Sequence, residues 1–272
     1  MRKKWMVLLF VLLVMLAVAG CGKESAPPPV DEQEPELPDD GSIAVEMVDP
    51  ISVIINNHAA ARPHSGLQQA RIVYEFLVEG GITRLMAVYD QPQMENFVIG
   101  PVRSLRPYFA EAAMEHAGVV AFSGTSGRTD KMIEHLALTK IVDYKYFWRD
   151  DSRKAPHNLY TDIETMYGAR GQSAVRTERV MPQELPAGEE ALEFKVTYSG
   201  SNVASYKYNI ENKMYMRFEN GEAHVDRETG LQYGATRVIV RTNEHVNVNV
   251  NGTNLVDIDV SGSGTAMLYE AG

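Results

Sequence analysis

A single cysteine, Cys21, stands in the whole 272-residue chain, and it removes one class of solutions at once. One cysteine cannot close an internal disulfide, so a stable body must be held by buried apolar surface. Hydrophobic residues make up 44% of the sequence, an ordinary share that suffices for a sizeable core. The cysteine therefore needs another use, and its position suggests one.

Arg2, Lys3 and Lys4 precede an almost wholly apolar stretch, residues 5–17, which Val18-Ala19-Gly20-Cys21 closes with small side chains. That layout is a signal peptide, and the apolar run falls short of the about 20 residues that span a membrane comfortably. The Val-Ala-Gly-Cys ending resembles a lipobox. Residues 1–20 are thus expected to be cleaved, and Cys21 to carry acyl chains of the palmitate kind. Such a lipid would anchor the chain on the extracytoplasmic face of the cell membrane. The alternatives are an ordinary secretory peptide with a chance cysteine, and an uncleaved anchor.

Residues 21–50 read as an acidic, disordered tether. Pro27, Pro28, Pro29, Pro35, Pro38 and Pro50 stiffen it, and Lys23 alone opposes its acids. The formal net charge is -10, and loss of residues 1–20 would remove three further bases. So acidic a body excludes non-specific nucleic-acid binding, which needs a basic face to displace counterions.

Residues 51–180 are expected to form an α+β or α/β N-terminal domain. Apolar runs predict strands at 51–55, 72–79, 84–90 and 118–122. Helical spacing puts Leu105, Tyr108, Phe109, Ala112, Ala113 and Ala117 on one face of a helix at 105–117, and a second helix is expected at 128–138. Residues 190–272 predict a smaller, mainly β C-terminal domain. Its strands fall at 192–198, 204–210, 214–218 and 236–241, with turns at Ser199-Gly200, Asn220-Gly221 and Thr229-Gly230. The Asn-rich stretch 243–254 and residues 255–272 read less clearly. Asn251-Gly252-Thr253 spells a glycosylation acceptor and reads as a turn.

Four segments could carry chemistry. A two-residue Gly80-Gly81 hairpin would pair Glu79 with Ile82, Leu77 with Arg84 and Glu75 with Met86. Glu75, Glu79 and Arg84 would then share one face, with Arg84 diagonal to both acids. Two carboxylates invite a glycosidase reading. Four residues apart on one strand, however, they stand about 13 Å apart at roughly 3.3 Å per residue, against about 5 Å for a retaining pair and under about 10 Å for an inverting one. A structural ion cluster is the other reading. In the second segment, Gly100-Pro101-Val102-Arg103-Ser104-Leu105-Arg106-Pro107, Ser104 is expected to cap the helix, with Pro107 tolerated in its first turn. Arg103 and Arg106 are out of place at an electropositive helix start unless an anion joins them, so they suggest a phosphate or carboxylate site. The alternative is pairing with Glu75, Glu79 or other acids of the protein.

The third segment, residues 147–161, mixes aromatic rings with Arg153, Lys154, His157 and Asn158, a blend common in ligand-contacting loops. The fourth, Asn56-Asn57-His58 with Arg62-Pro63-His64-Ser65-Gly66, follows the first strand, where α/β layers bind ligands. A lone histidine in such a loop is otherwise an ordinary hydrogen-bonded residue. No paired nucleophile, cysteine pair, H-x-x-x-H or Asp-rich loop appears, so neither a triad, a metal nor a cofactor is expected. The ligand-binding residues expected are therefore Arg62, His64, Ser65, Glu75, Glu79, Arg84, Arg103, Ser104, Arg106, Arg153, Lys154, His157 and Asn158, and Cys21 is the expected lipidation site.

Several of these strings resemble the YerB-like lipoproteins of Gram-positive bacteria. They are Arg62-Pro63-His64-Ser65-Gly66-Leu67, Ile72-Val73-Tyr74-Glu75, Glu79-Gly80-Gly81-Ile82-Thr83-Arg84, Ile99-Gly100-Pro101-Val102-Arg103-Ser104 and Arg153-Lys154-Ala155-Pro156-His157-Asn158-Leu159-Tyr160. Tyr215, Arg217, His224, Asp226 and Gly230 are similar to that family's C-terminal domain. The resemblance implies a two-domain envelope lipoprotein of unknown function and transfers no catalytic residue. Two features depart from it: Arg71 stands where an acid is expected, and further strands are expected beyond Gly272, which would leave the second domain short of part of its sheet. The expected function is binding of an anionic cell-wall ligand or an envelope partner protein. The alternatives are an enzyme acting on phosphate-linked cell-wall precursors and a scaffold with no small ligand.

Overall fold

The structure, a computed structural model, describes residues 45–90, 95–171, 177–180, 188–250 and 252–272. The cleavage, Cys21 lipidation and most of the tether expected from the sequence lie outside the described residues, as does Asn251. The described chain opens with β1 (Val45–Val48), which pairs with β10 (Thr177–Val180).

The N-terminal domain is built on the wholly buried β2 (Ile51–Asn56). Beside it run β3 (Ile72–Leu77), β4 (Thr83–Tyr89), β6 (Val119–Ala121) and β7 (Thr139–Ile141), in the order β3-β4-β2-β6-β7. β4 lies antiparallel to β2 and β3, whereas β2, β6 and β7 are parallel. A sheet covered on both sides accounts for strands that read as unbroken apolar runs. On one side α1 (Pro107–Met114) and α2 (Gly127–His135) pack Tyr108, Phe109, Ala112, Ala113 and Ile133 against Ile54, Met86 and Val88. On the other, Ile51, Val53, Ile55, Leu85 and Ala87 meet a three-stranded sheet and α3 (Ile163–Arg170). That small sheet runs β5 (Val98–Ile99), β9 (Leu159–Asp162), β8 (Trp148–Arg149).

The C-terminal domain is all strand among its described residues. β11 (Glu193–Ser199), β12 (Asn202–Asn209), β13 (Met214–Glu219) and β14 (Glu222–Ala223) form an antiparallel sheet, with β15 (Gly234–Ala235) also on β13. Phe194 stacks on Tyr269 at 3.6 Å and on Tyr206 at 4.9 Å. β16 (Arg237–Arg241) pairs with β19 (Ala266–Glu270), and β17 (His245–Val250) with β18 (Thr253–Ile258). The Asn-rich segment that read less clearly is thus the β17–β18 hairpin. Its Val256 and Ile258 reach back into the core under α1. Both domains belong to one unit, residues 43–272.

Three local expectations need correction. The β3–β4 turn holds three residues, not two: Val78 N–H bonds Ile82 C=O at 2.8 Å, with Glu79, Gly80 and Gly81 between them. Both glycines have positive φ, 77° and 70°, which lets the chain make this loop without Cβ strain. The register becomes Leu77 with Thr83, Phe76 with Arg84 and Glu75 with Leu85. A shift of one residue sends neighbours to opposite faces, so Glu75 does not share a face with Arg84. Second, α1 is shorter than expected. Its N-cap is Arg106, whose side chain makes no capping bond to the helix, and Pro107 occupies the first turn. Third, the Ser104 hydroxyl, expected to cap that helix, donates instead to Ser123 C=O at 2.9 Å. Arg71, which stands where an acid was expected, pairs with Asp90 just past β4.

Candidate functional site

The expected site residues divide between the two faces of the large sheet. On the α1 side, β4 supplies Arg84 at its start and β2 supplies Asn56 at its end, directly paired. Val102 bridges to Ile55 and faces the opposite core, so alternation turns the next residue, Arg103, to the α1 side. Arg106 donates to Glu79 through Nε at 2.8 Å and Nη2 at 3.0 Å, a two-point ion pair. Arg84 instead donates to the backbone carbonyl of Ser104 at 2.6 Å. The Arg103 guanidinium has no acid partner among the described residues. Three guanidiniums thus share one carboxylate in an otherwise acidic protein.

The electrostatics follow. Burial works to raise the Glu79 carboxyl, but the Arg106 guanidinium outweighs it and holds the group below the usual carboxylate range. Burial pushes Arg84 down to about 10, and the charge of Arg106 adds to the effect. Arg103 is lowered for the same two reasons. Burial is the larger cause for both, and the neighbouring Arg106 charge adds to it while Glu79 works the other way.

His157 joins this side. Its Nδ1 accepts from Asn56 Nδ2 at 2.8 Å, and its ring stacks on His58 at 4.4 Å. Burial, His58 and Arg103 in turn hold it below the ordinary imidazole value. His58 is absent from the expected site residues. A lone histidine after a strand carries no signal of its own in sequence, and the stacking of this half-buried ring reveals it.

The opposite face carries a different arrangement, closed by the C-terminal domain. Glu75 receives Arg217 Nη1 at 2.8 Å and Thr83 Oγ1 at 2.6 Å. Arg217 also donates to Glu219 at 2.6 Å, and Arg62 lies 3.2 Å from Glu219. Burial opposes the charge on Arg217, yet Glu75 and its other partners raise the group well above its ordinary value. From Arg217 a buried chain of hydrogen bonds runs inward. Arg217 Nε donates to His224 Nδ1 at 2.9 Å, His224 Nε2 to His64 Nδ1 at 2.7 Å, and His64 Nε2 to Asn56 C=O at 2.7 Å. The carbonyl can only accept, which fixes both tautomers in the neutral state. Nearby, Gly66 N–H and the Tyr233 hydroxyl both donate to Asp226 at 2.9 Å, and Ser65 donates to Glu228 at 2.8 Å.

The remaining expected residues take structural posts. Arg153 donates to Ala61 C=O at 2.6 Å and Pro63 C=O at 2.8 Å, clamping the loop after β2. Asn158 accepts from Arg149 at 2.7 Å and donates to Asp150 C=O and Arg153 C=O, both at 3.1 Å. Lys154 is exposed. Glu79, Arg84, Arg103, Arg106 and His157 therefore gather on one side. Glu75, Arg62, His64 and Ser65 belong to the contact between domains. Arg217, His224 and Asp226 appeared in sequence only as positions of family likeness.

A covered α/β sheet braced by an all-β domain through buried ions, with three arginines gathered at one edge of the sheet, defines a two-domain protein. Among the described residues no three His, Cys, Asp or Glu side chains cluster closely enough to hold a metal ion. The chain belongs to the family described as "Protein of unknown function (DUF3048)", whose N-terminal domain matches residues 41–176 and whose C-terminal domain matches residues 194–272. It is similar to the Bacillus subtilis (strain 168) protein named "Putative lipoprotein YerB", at 29% identity over 99% of this chain and 85% of the relative. It also matches the crystal structure of YerB protein from Bacillus subtilis at a TM-score of 0.72 and 31% identity, covering 83% of this chain and 79% of that one. Among the described residues, no helix is long and apolar enough to cross a membrane.

Proposed function

We propose that the chain is a cell-envelope lipoprotein, held at the membrane through lipid on Cys21 after cleavage of residues 1–20, that binds an anionic cell-wall ligand at Arg84, Arg103 and Arg106. One observation carries the binding reading: three guanidiniums face a single carboxylate, and Arg103 has no acid partner among the described residues. Guanidinium forks match phosphate and carboxylate oxygens in pairs. The lipid anchor draws support from the Val18-Ala19-Gly20-Cys21 ending and from the name of the Bacillus relative. An acidic envelope partner protein would use the same cations.

The enzyme alternative has less support. Glu79 is the carboxylate nearest these cations, and Arg106 keeps it ionised and doubly bonded, which makes it a weak base.

Calorimetric titration of the unaltered chain and of Arg103→Gln with teichoic acid, polyprenyl phosphate and peptidoglycan fragments tests the reading. Binding to a phosphate-bearing ligand is expected, with a loss of about tenfold in the variant. Failure to bind any of them by a folded protein would sink it. Membrane fractionation of Cys21→Ala tests the anchor, and the variant is expected in the soluble fraction.

A further inference from the structure

We propose that the ligand of this site is a phosphomonoester-type dianion and that the stacked His58–His157 pair donates to it through two Nε2–H groups. The inference rests on the anion-binding reading above.

The tautomers are set by the fold. His58 Nδ1 accepts from Ala60 N–H at 3.0 Å, and His157 Nδ1 accepts from Asn56 Nδ2 at 2.8 Å. The Asn56 amide cannot be reversed without loss, because its oxygen accepts from His58 N–H at 3.1 Å. A neutral imidazole that accepts at Nδ1 carries its proton at Nε2. Neither Nε2 has a partner among the described residues. The pair therefore offers two hydrogens and no lone pair, which suits an anion and rejects a cation. Its rings lie 4.4 Å apart and 20° from parallel, so both donors belong to one small area.

Charge selects among anions. Arg84, Arg103 and Arg106 against Glu79 leave two positive charges unbalanced, which a dianion cancels and a carboxylate or phosphodiester does not. A phosphoryl group also presents three terminal oxygens, enough for a guanidinium fork and two imidazoles together.

Proton linkage follows. The charges acting on His157 come from His58, in the loop after β2, and Arg103, in the segment ahead of α1, and both oppose its protonation. Asn56 on β2 contributes only a neutral amide; the loop of His157 itself carries Arg153, Lys154, Asp150 and Asp151, of which Asp150 is paired with Arg227. A bound dianion reverses that field, so His157 takes up a proton more readily in the complex. Affinity then rises as pH falls from about 7 until the ligand's own second protonation near pH 6 offsets it.

The test is a pH titration of histidine ring resonances in the full-length chain, free and with phenyl phosphate, beside calorimetry with phenyl phosphate, diphenyl phosphate and phosphatidylcholine vesicles carrying phosphatidic acid. The expected results are binding of the monoester about tenfold tighter than the diester, and a rise of about one pH unit in the His157 midpoint. His58→Gln should weaken monoester binding, and His157→Gln should abolish the proton uptake. Response to the vesicles points to a lipid headgroup as the source, and response to phenyl phosphate alone to a free phosphate; either supports the shared chemistry. A monoester that binds without moving the His157 midpoint, or a diester that binds equally well, overturns this inference and leaves the anion reading standing. No binding of either ester or of the vesicles overturns both.

Discussion

His64 shows how much of this molecule rests on a proton being absent. The ring is fully buried, and burial lowers it from 6.5 to about 3. His224 is lowered too, by burial and then by His64. In the unfolded chain both titrate at the ordinary value, so below it the unfolded state binds more protons than the folded one. The stability contributed by the neutral rings is full above pH 6.5 and is lost progressively as pH falls towards about 3. His116 and His157 are lowered by burial as well and add to the fall, whereas burial raises Glu219 and Glu111, which works against it; the net slope expected between about pH 6.5 and 5 is that of the four histidines less the two acids. Urea unfolding midpoints across that window are expected to fall steadily with pH, and a flat profile would contradict the buried neutral pair. From sequence, His64 was expected at a ligand site, whereas the structure buries it against His224 in the contact between domains. His224 lies 160 residues away, and no local spacing links the two.

At the scale of elements, strand identity was readable and register was not. The apolar runs at 51–55, 72–79 and 118–122 each became a strand, because a sheet covered on both faces needs such runs. The face of Glu75 depended on one residue in the β3–β4 turn, and Gly80-Gly81 fits a two-residue or a three-residue loop equally well by composition. The Asn-rich hairpin stayed hidden although Val246, Val248 and Val250 alternate with Asn247 and Asn249, because asparagine is depleted in strands and weighs against the alternation. Two glycines test how backbone conformation sets these elements. A Cβ on Gly80 would meet nothing within 4 Å, so Gly80→Ala should cost only the left-handed backbone penalty, about 1 kcal/mol. A Cβ on Gly66 would lie 2.4 Å from Val98 C=O, a backbone atom that cannot swing aside. Gly66→Ala should therefore cost several times more and free Asp226 from the Gly66 N–H. Equal urea midpoints for the two variants would refute the close-contact argument.

Across the whole molecule, the residues that looked like one site in sequence serve two purposes. Glu79, Arg84, Arg103, Arg106 and His157 stay on a cation-rich edge, whereas Glu75 turns away to receive Arg217 from the other domain at 2.8 Å. Arg217 is the joint: it also holds Glu219 and donates to the His224–His64 chain that ends on Asn56, the same residue that orients His157. The two domains should therefore unfold together, in one calorimetric transition whose enthalpy equals the van't Hoff value. Arg217→Met keeps much of the volume but leaves Glu75 buried without its cation. Loss of one partner from a buried pair costs about 3–5 kcal/mol. The second acid, Glu219, keeps Arg62 at 3.2 Å, so the damage should concentrate on the link through Glu75 and His224. The variant is expected to melt in two steps, the C-terminal sheet first, because that domain has the smaller apolar core and relies on Arg217 for its dock. Two transitions already present in the unaltered chain would show that the ion network does not couple the domains, and the buried histidine chain would then be an ornament of one domain and not the hinge pin of both.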